Sequence, residues 1–179
     1  MPGTCQDAAN IATRYALNKE ADQYVKLSSK MCWDAIIYVA VLAGVIDEKR
    51  YKLYQGKPEL LAPYDPRSFF DRGSITNFPG GHAIVFYEIE KHTLTFDGRG
   101  KLTKSSLGGG HHAVHAMITV GIGIAAGNKN DCIGPGHSVG WELLDLANDL
   151  PWSGFDIHQT KNNHRTLRAC HRPITEIGR

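Results

Sequence analysis

Apolar positions follow two regimes along the chain. Between residues 5 and 27, Ala8, Ile11, Ala12, Tyr15 and Ala16 recur three and four apart, which predicts a first amphipathic helix. Lys19, Glu20 and Asp22 face solvent on that reading, and Tyr24, Val25 and Leu27 lead into a second helix over 29–46. Ser28 or Ser29 offers its N-cap, Cys32 falls in its first turn, and the apolar run Ala35–Ile46 supplies its body. That run is too long for an ordinary strand and too short to span a bilayer. Residues 47–79 read as mostly irregular, broken by Pro58, Pro63, Pro66 and Pro79 but anchored by Tyr51, Leu53, Tyr54, Phe69 and Phe70.

The period then shortens. Residues 83–89 (Ala-Ile-Val-Phe-Tyr-Glu-Ile) predict a strand, with His92–Phe96 pairing back on it. Beyond Gly108-Gly109-Gly110, His115–Gly121 and Ile122–Gly127 predict two more strands. Residues 139–150 are helical or extended, and the last thirty hold Trp152, Phe155 and Ile157 before a polar tail. Helices first and strands after point to an α+β fold, with N-terminal helices packed on a small antiparallel sheet. A single domain over 1–179, its core roughly 28–157, is the expectation for this length.

Composition narrows the function classes. A formal charge of +2 gives no reason to expect nucleic acid or an anionic membrane as partner. The four cysteines, Cys5, Cys32, Cys132 and Cys170, contain no CxxC pair, so neither a disulfide framework nor a zinc ribbon is indicated, although one bridge among Cys5, Cys132 and Cys170 stays open. The N-terminus lacks a basic segment followed by an apolar core, which leaves the cytoplasm or export without a Sec signal.

Cys32 is the residue with the most chemical promise. A helix N-terminus favours thiolate over thiol, although most helix cysteines are small buried hydrophobes. A thiol nucleophile needs an imidazole to take its proton, and the imidazole needs a polar partner to fix its tautomer. His115 opens an apolar strand and is the first choice. His82 also opens one, with Asp97 downstream, and is the second.

Three segments, Cys32-Trp33 opening a hydrophobic helix, Phe78-Pro79-Gly80-Gly81-His82 leading a strand, and His115-Ala116-Met117-Ile118-Thr119-Val120-Gly121 ending in a glycine turn, resemble the papain-like superfamily and within it the NlpC/P60-like branch. The resemblance covers roughly residues 28–130. Trp33-Asp34 depart from the small residue that usually follows the cysteine there. It implies a cysteine hydrolase with Cys32 as nucleophile, His115 as base and a polar third group. Asn128 fits the third position best, with Asp145 or Asp156 as acidic alternatives. The same resemblance implies peptide, isopeptide or glutamine amide substrates, peptidoglycan stem peptides among them. It also implies a secreted bacterial effector or toxin acting as protease, amidase or deamidase on a host protein, with a possible immunity protein as partner and no cofactor.

Two readings from other classes compete. In a non-catalytic binding domain, Cys32 is core and His115 merely starts a strand. A zinc protein would use His111 and His115 at i, i+4 on a helix, with Cys132 and His137 in support. Gly108–Gly110 disfavours that helix, and no Glu follows His111. Lys129, Arg165, Arg168 and Arg172 read as solvated surface, although the tail Lys161–Arg165 could take an anionic partner; Trp141, Trp152 and Phe155 read as core or groove lining.

Overall fold

The computed structural model describes residues 2–89, 93–106, 111–159 and 165–179. Helices and strands are mixed, as an α+β class requires. The helices are α1 (Cys5–Ala16), α2 (Asp22–Ser28), α3 (Cys32–Leu42), α4 (Glu48–Tyr54), α5 (Arg72–Ile75) and α6 (Leu146–Asp149). The strands are β1 (His82–Ile89), β2 (Thr93–Phe96), β3 (Leu102–Ser106), β4 (His111–Gly121), β5 (Ile124–Asn128), β6 (Trp141–Asp145), β7 (Trp152–Ser153), β8 (Asp156–His158) and β9 (Thr166–Pro173). Seven of them form one curled antiparallel sheet in the order β6-β5-β4-β1-β9-β8-β7, and β2 and β3 pair separately.

The single helix expected over 5–27 is two helices. Thr4 and Asp7 close a capping box at the start of α1, which buries Ala8, Ala9, Ala12 and Ala16. The apolar stripe then lapses at Asn18, Lys19 and Glu20, Leu17 is left exposed, and the chain turns before α2. α3 begins later than the run suggested and is apolar on nearly every side, as a helix enclosed by its neighbours must be. It stops where Gly44 adopts φ 76° and Val45 N–H returns to the Ala40 carbonyl.

β1 lies between β4 and β9 and is covered on both faces, which explains its unbroken apolar run. Ala83, Val85, Tyr87, Ala116, Ile118 and Ala126 join the helical cluster with α1 and α3. Ile84, Phe86, Met117, Ala125, Leu167 and Ala169 turn the other way, onto Phe70, Ile75, Leu146, Leu150 and Ile157.

Several expectations need correction. The core is not confined to 28–157, because Ala8 and Ala12 at one end and Leu167, Ala169, Cys170 and Ile174 at the other are all buried. The last thirty residues contribute an internal strand, β9, whose polar residues hid its period. Arg165, Arg168 and Arg172 are not free surface charges. Arg165 donates to Gln159 Oε1 and the Cys132 carbonyl, Arg168 pairs with Asp156 at 2.7 Å, and Arg172 holds the carbonyls of Leu60, Glu176 and Arg179. β2 pairs with β3 rather than with β1, and 47–79 contains α4 and α5. The segment 160–164, which includes most of the basic tail, lies outside the described residues.

Trp141 ties the sheet to the helices: its indole is fully buried and donates to the Ala12 carbonyl at 2.8 Å. Trp141→Ala is expected to cost about 3–5 kcal/mol, from lost burial and the cavity left behind. Urea denaturation of both chains measures this directly.

Candidate functional site

α3 delivers Cys32 to the middle of the sheet. The Cys32 thiol is buried near β4. Backbone N–H groups of Ala116, Trp33 and Cys32 favour the thiolate, but burial outweighs them. Burial, before any other influence, pushes the Cys32 thiol up to about 11, and the nearby Cys132 adds to the effect. Lys30, the closest lysine in sequence, is engaged elsewhere. Its ammonium sits over the Tyr38 and Tyr51 rings at 4.5 and 5.0 Å and donates to the Tyr51 hydroxyl.

Asn128 sets the approach of this helix. Its Nδ2 donates to the carbonyls of Leu27, Ser28 and Lys30 at 3.0, 3.0 and 2.6 Å. Those carbonyls belong to the end of α2 and the turn into α3, where a helix leaves acceptors unpaired. Ser28 Oγ then accepts from Trp141 N–H at 2.9 Å, fastening the same turn to β6. Asn128 thus positions Cys32 through the backbone and makes no bond to His115.

His115 is held by a different asparagine. It is fully buried on β4, just after a bulge at Val114 that breaks the pairing with β1. Its Nε2 lies 2.9 Å from Asn130 Oδ1. The Asn130 Nδ2 group donates to the Gly127 carbonyl and to Glu142 Oε1, both at 3.2 Å, so its Oδ1 is the acceptor and His115 Nε2 carries the proton. Nδ1 is then a bare lone pair, buried and without a partner among the described residues. Burial pushes this imidazole down to about 4 despite the Asn130 bond, so it is neutral at pH 7.

The local backbone explains the switch from Asn128 to Asn130. Lys129 takes a left-handed conformation, φ 59°, ψ 49°, and sends the two asparagines to opposite sides of the strand. Gly127 makes room: a Cβ there would meet Asn130 Oδ1 at 2.6 Å. The sequence signal was the pair of asparagines around one residue at a strand end.

Cys32 and His115 share no hydrogen bond. α3 packs on the face bearing Ala116 and Ile118, whereas His115 falls on the face of Phe86 and Met117. The acidic alternatives are committed elsewhere: Asp145 caps α6 through Asn148 N–H, and Asp156 pairs with Arg168. His82, the second choice of base, has its Nδ1 3.2 Å from His171 Nδ1. Asp97 caps its own hairpin turn through Arg99 and Lys101 N–H.

His111 and His115 lie on a strand, where four residues span about 13 Å rather than one turn, so the helical zinc pair does not arise. His111 stacks on Tyr64 at 3.6 Å and His112 pairs with Glu88 at 2.8 Å. All four cysteines are free, and among the described residues no three His, Cys, Asp or Glu side chains converge as metal ligands. No helix among the described residues is long and apolar enough to cross a membrane.

The chain matches no protein family, no curated protein and no solved structure.

Two consequences are measurable. Asn128→Ala is expected to lower stability by about 1–3 kcal/mol in urea, since it strips the half-buried Ser28 and Lys30 carbonyls of their Asn128 donor. His115 sets an acid limit. Its pKa is about 4 folded against an ordinary 6.5, so the unfolded chain takes up the extra proton between those values. The stability it contributes is complete above pH 6.5 and is lost as pH falls towards 4. Urea midpoints from pH 7 to pH 4 should therefore fall more steeply in the wild type than in His115→Gln.

Proposed function

We propose that the protein is a cysteine-dependent amide-bond hydrolase of papain-like, NlpC/P60-like type, with Cys32 as nucleophile and His115 as base. The observation that carries this reading is the His115 tautomer. Asn130 Oδ1 accepts a hydrogen bond from Nε2–H and leaves Nδ1 bare, which is the form a base needs in order to receive the proton of a thiol. Asn130 replaces Asn128 as the group that orients the imidazole.

With the thiol held near 11 and the imidazole neutral, the resting site is a thiol and a free base rather than an ion pair. The reaction needs the sulfur and Nδ1 in contact, which the resting arrangement does not provide, so this proposal requires a rearrangement of α3 against β4 on substrate binding. His115 Nδ1 takes the sulfhydryl proton as sulfur attacks the carbonyl carbon, forming C–S while the carbonyl oxygen becomes an oxyanion. N–H groups at the start of α3, Cys32 included, and the Ala116 N–H are the donors available to that oxygen. Collapse breaks C–N, the imidazolium returns its proton to the departing nitrogen, and water, deprotonated by the same Nδ1, hydrolyses the thioester. Peptide, isopeptide or glutamine amides fit this chemistry. Export as a bacterial effector or toxin, with a host protein, a peptidoglycan peptide or an immunity protein as partner, rests on the sequence resemblance.

A second reading, a non-catalytic binding domain with Cys32 as core, is favoured by the raised thiol and the missing Cys32–His115 bond. Alkylation with iodoacetamide, followed site by site by mass spectrometry from pH 5 to 11, separates the two. General-base assistance predicts labelling of Cys32 near pH 7 that falls on the order of a hundredfold in His115→Ala, with Cys132 unaffected. A single midpoint near 11, identical in both chains, overturns the hydrolase and leaves the binding domain.

A further inference from the structure

We infer that Glu142 is a positioning residue for the His115 base, acting through Asn130 from the rim of a surface cleft. The inference rests on the hydrolase reading for its catalytic meaning and on hydrogen bonds for its physical content. Glu142, on β6, is mostly buried, and its two oxygens divide their work. Oε1 accepts from Asn130 Nδ2 at 3.2 Å and from His137 N–H at 2.6 Å. Oε2 lies 2.5 Å from His137 Nδ1 on an imidazole that is largely exposed. One connected path therefore runs His115 Nε2–Asn130–Glu142–His137, from the fully buried base to solvent.

An amide can present oxygen or nitrogen to an imidazole, and the choice decides which ring nitrogen keeps the proton. The Gly127 carbonyl and the Glu142 carboxylate both demand donors from Asn130, so the amide nitrogen must face them and Oδ1 must face His115. Both groups only accept, and the charge on the carboxylate makes Glu142 the stronger acceptor of the two. The fixed amide leaves Nδ1 bare.

The outer end of the path opens on a cleft of about 290 Å³ lined by Lys19, Tyr24, His137, Val139, Gly140, Trp141 and Glu142. The same carboxylate thus belongs both to a surface recess and to the hold on the base.

Long-range ¹H–¹⁵N correlation of the histidine rings tests this without any substrate. The wild type is expected to show His115 as one tautomer, protonated on Nε2. Glu142→Met keeps volume but offers no comparable acceptor, and should shift both His115 nitrogens toward an average of the two tautomers. Glu142→Gln, whose oxygen can still accept from Asn130, should restore the wild-type signals. His137→Ala, at an exposed position where folding is not at stake, should move the same signals in the same direction by less. Unchanged His115 nitrogens in both Glu142→Met and His137→Ala overturn the inference; if Glu142→Met does not fold, His137→Ala alone decides. Cys32 alkylation at pH 7 should fall on the order of tenfold in Glu142→Met and recover in Glu142→Gln. Tautomer averaging in Glu142→Met, with alkylation indifferent to His115→Ala, would keep the positioning role and remove the hydrolase. An intact tautomer, with alkylation that depends on His115, would do the reverse.

Discussion

The closure of α2 by Asn128 is the constraint on which the site depends. Three carbonyls at a helix end and its following turn, buried against a sheet, cannot be left without donors. A single strand-borne amide donates to all three, with the Lys30 N–H also reaching the Leu27 carbonyl, and in doing so fixes where the next helix starts. Cys32 is the first residue of that helix, so its depth against β4 follows from a hydrogen bond made four residues earlier by Ser28. The left-handed residue after Asn128 is the second half of the same device. It lets one short segment hold the Cys32 helix on one side of the sheet and the imidazole on the other.

Much of the fold was legible because burial imposed a period. The apolar run of α3, the two-faced apolar run of β1 and the glycine-ended β4 each carry a pattern that only one kind of element satisfies. β9 was not legible, since Arg168, Cys170 and Arg172 interrupt any alternation and the reason for their burial lies in partners from 60–65 and 156–179. A guanidinium that satisfies several carbonyls looks, in sequence, like one that stays wet. The break between α1 and α2 shows the converse: local helix formers carried the expectation through residues whose lack of apolar anchors lets the chain turn.

In the site, residue types were readable and their assignments were not. Cys32 at a helix start and His115 on a strand are positions that sequence fixes. Which asparagine faces the imidazole depends on the handedness of Lys129 and on the space above Gly127, and neither follows from spacing along a strand. The state of the thiol was also out of reach. A helix N-terminus favours thiolate by a fraction of a pKa unit up to a few, whereas complete burial opposes charge by as much or more. Here burial wins.

That outcome bears on how such a site can work. A preformed thiolate–imidazolium pair would place two charges in the interior, each costly to desolvate, with no hydrogen bond between them to offset the cost. A neutral thiol and a neutral imidazole avoid it. On the hydrolase proposal, the difficulty moves to the encounter with substrate, where the charge developing on a carbonyl oxygen has to be met by backbone N–H groups. A rigid hold on the imidazole matters more in that regime than a high basicity. That proposal needs Nδ1 deprotonated in the resting protein, and burial together with the Asn130–Glu142 contact keeps it so.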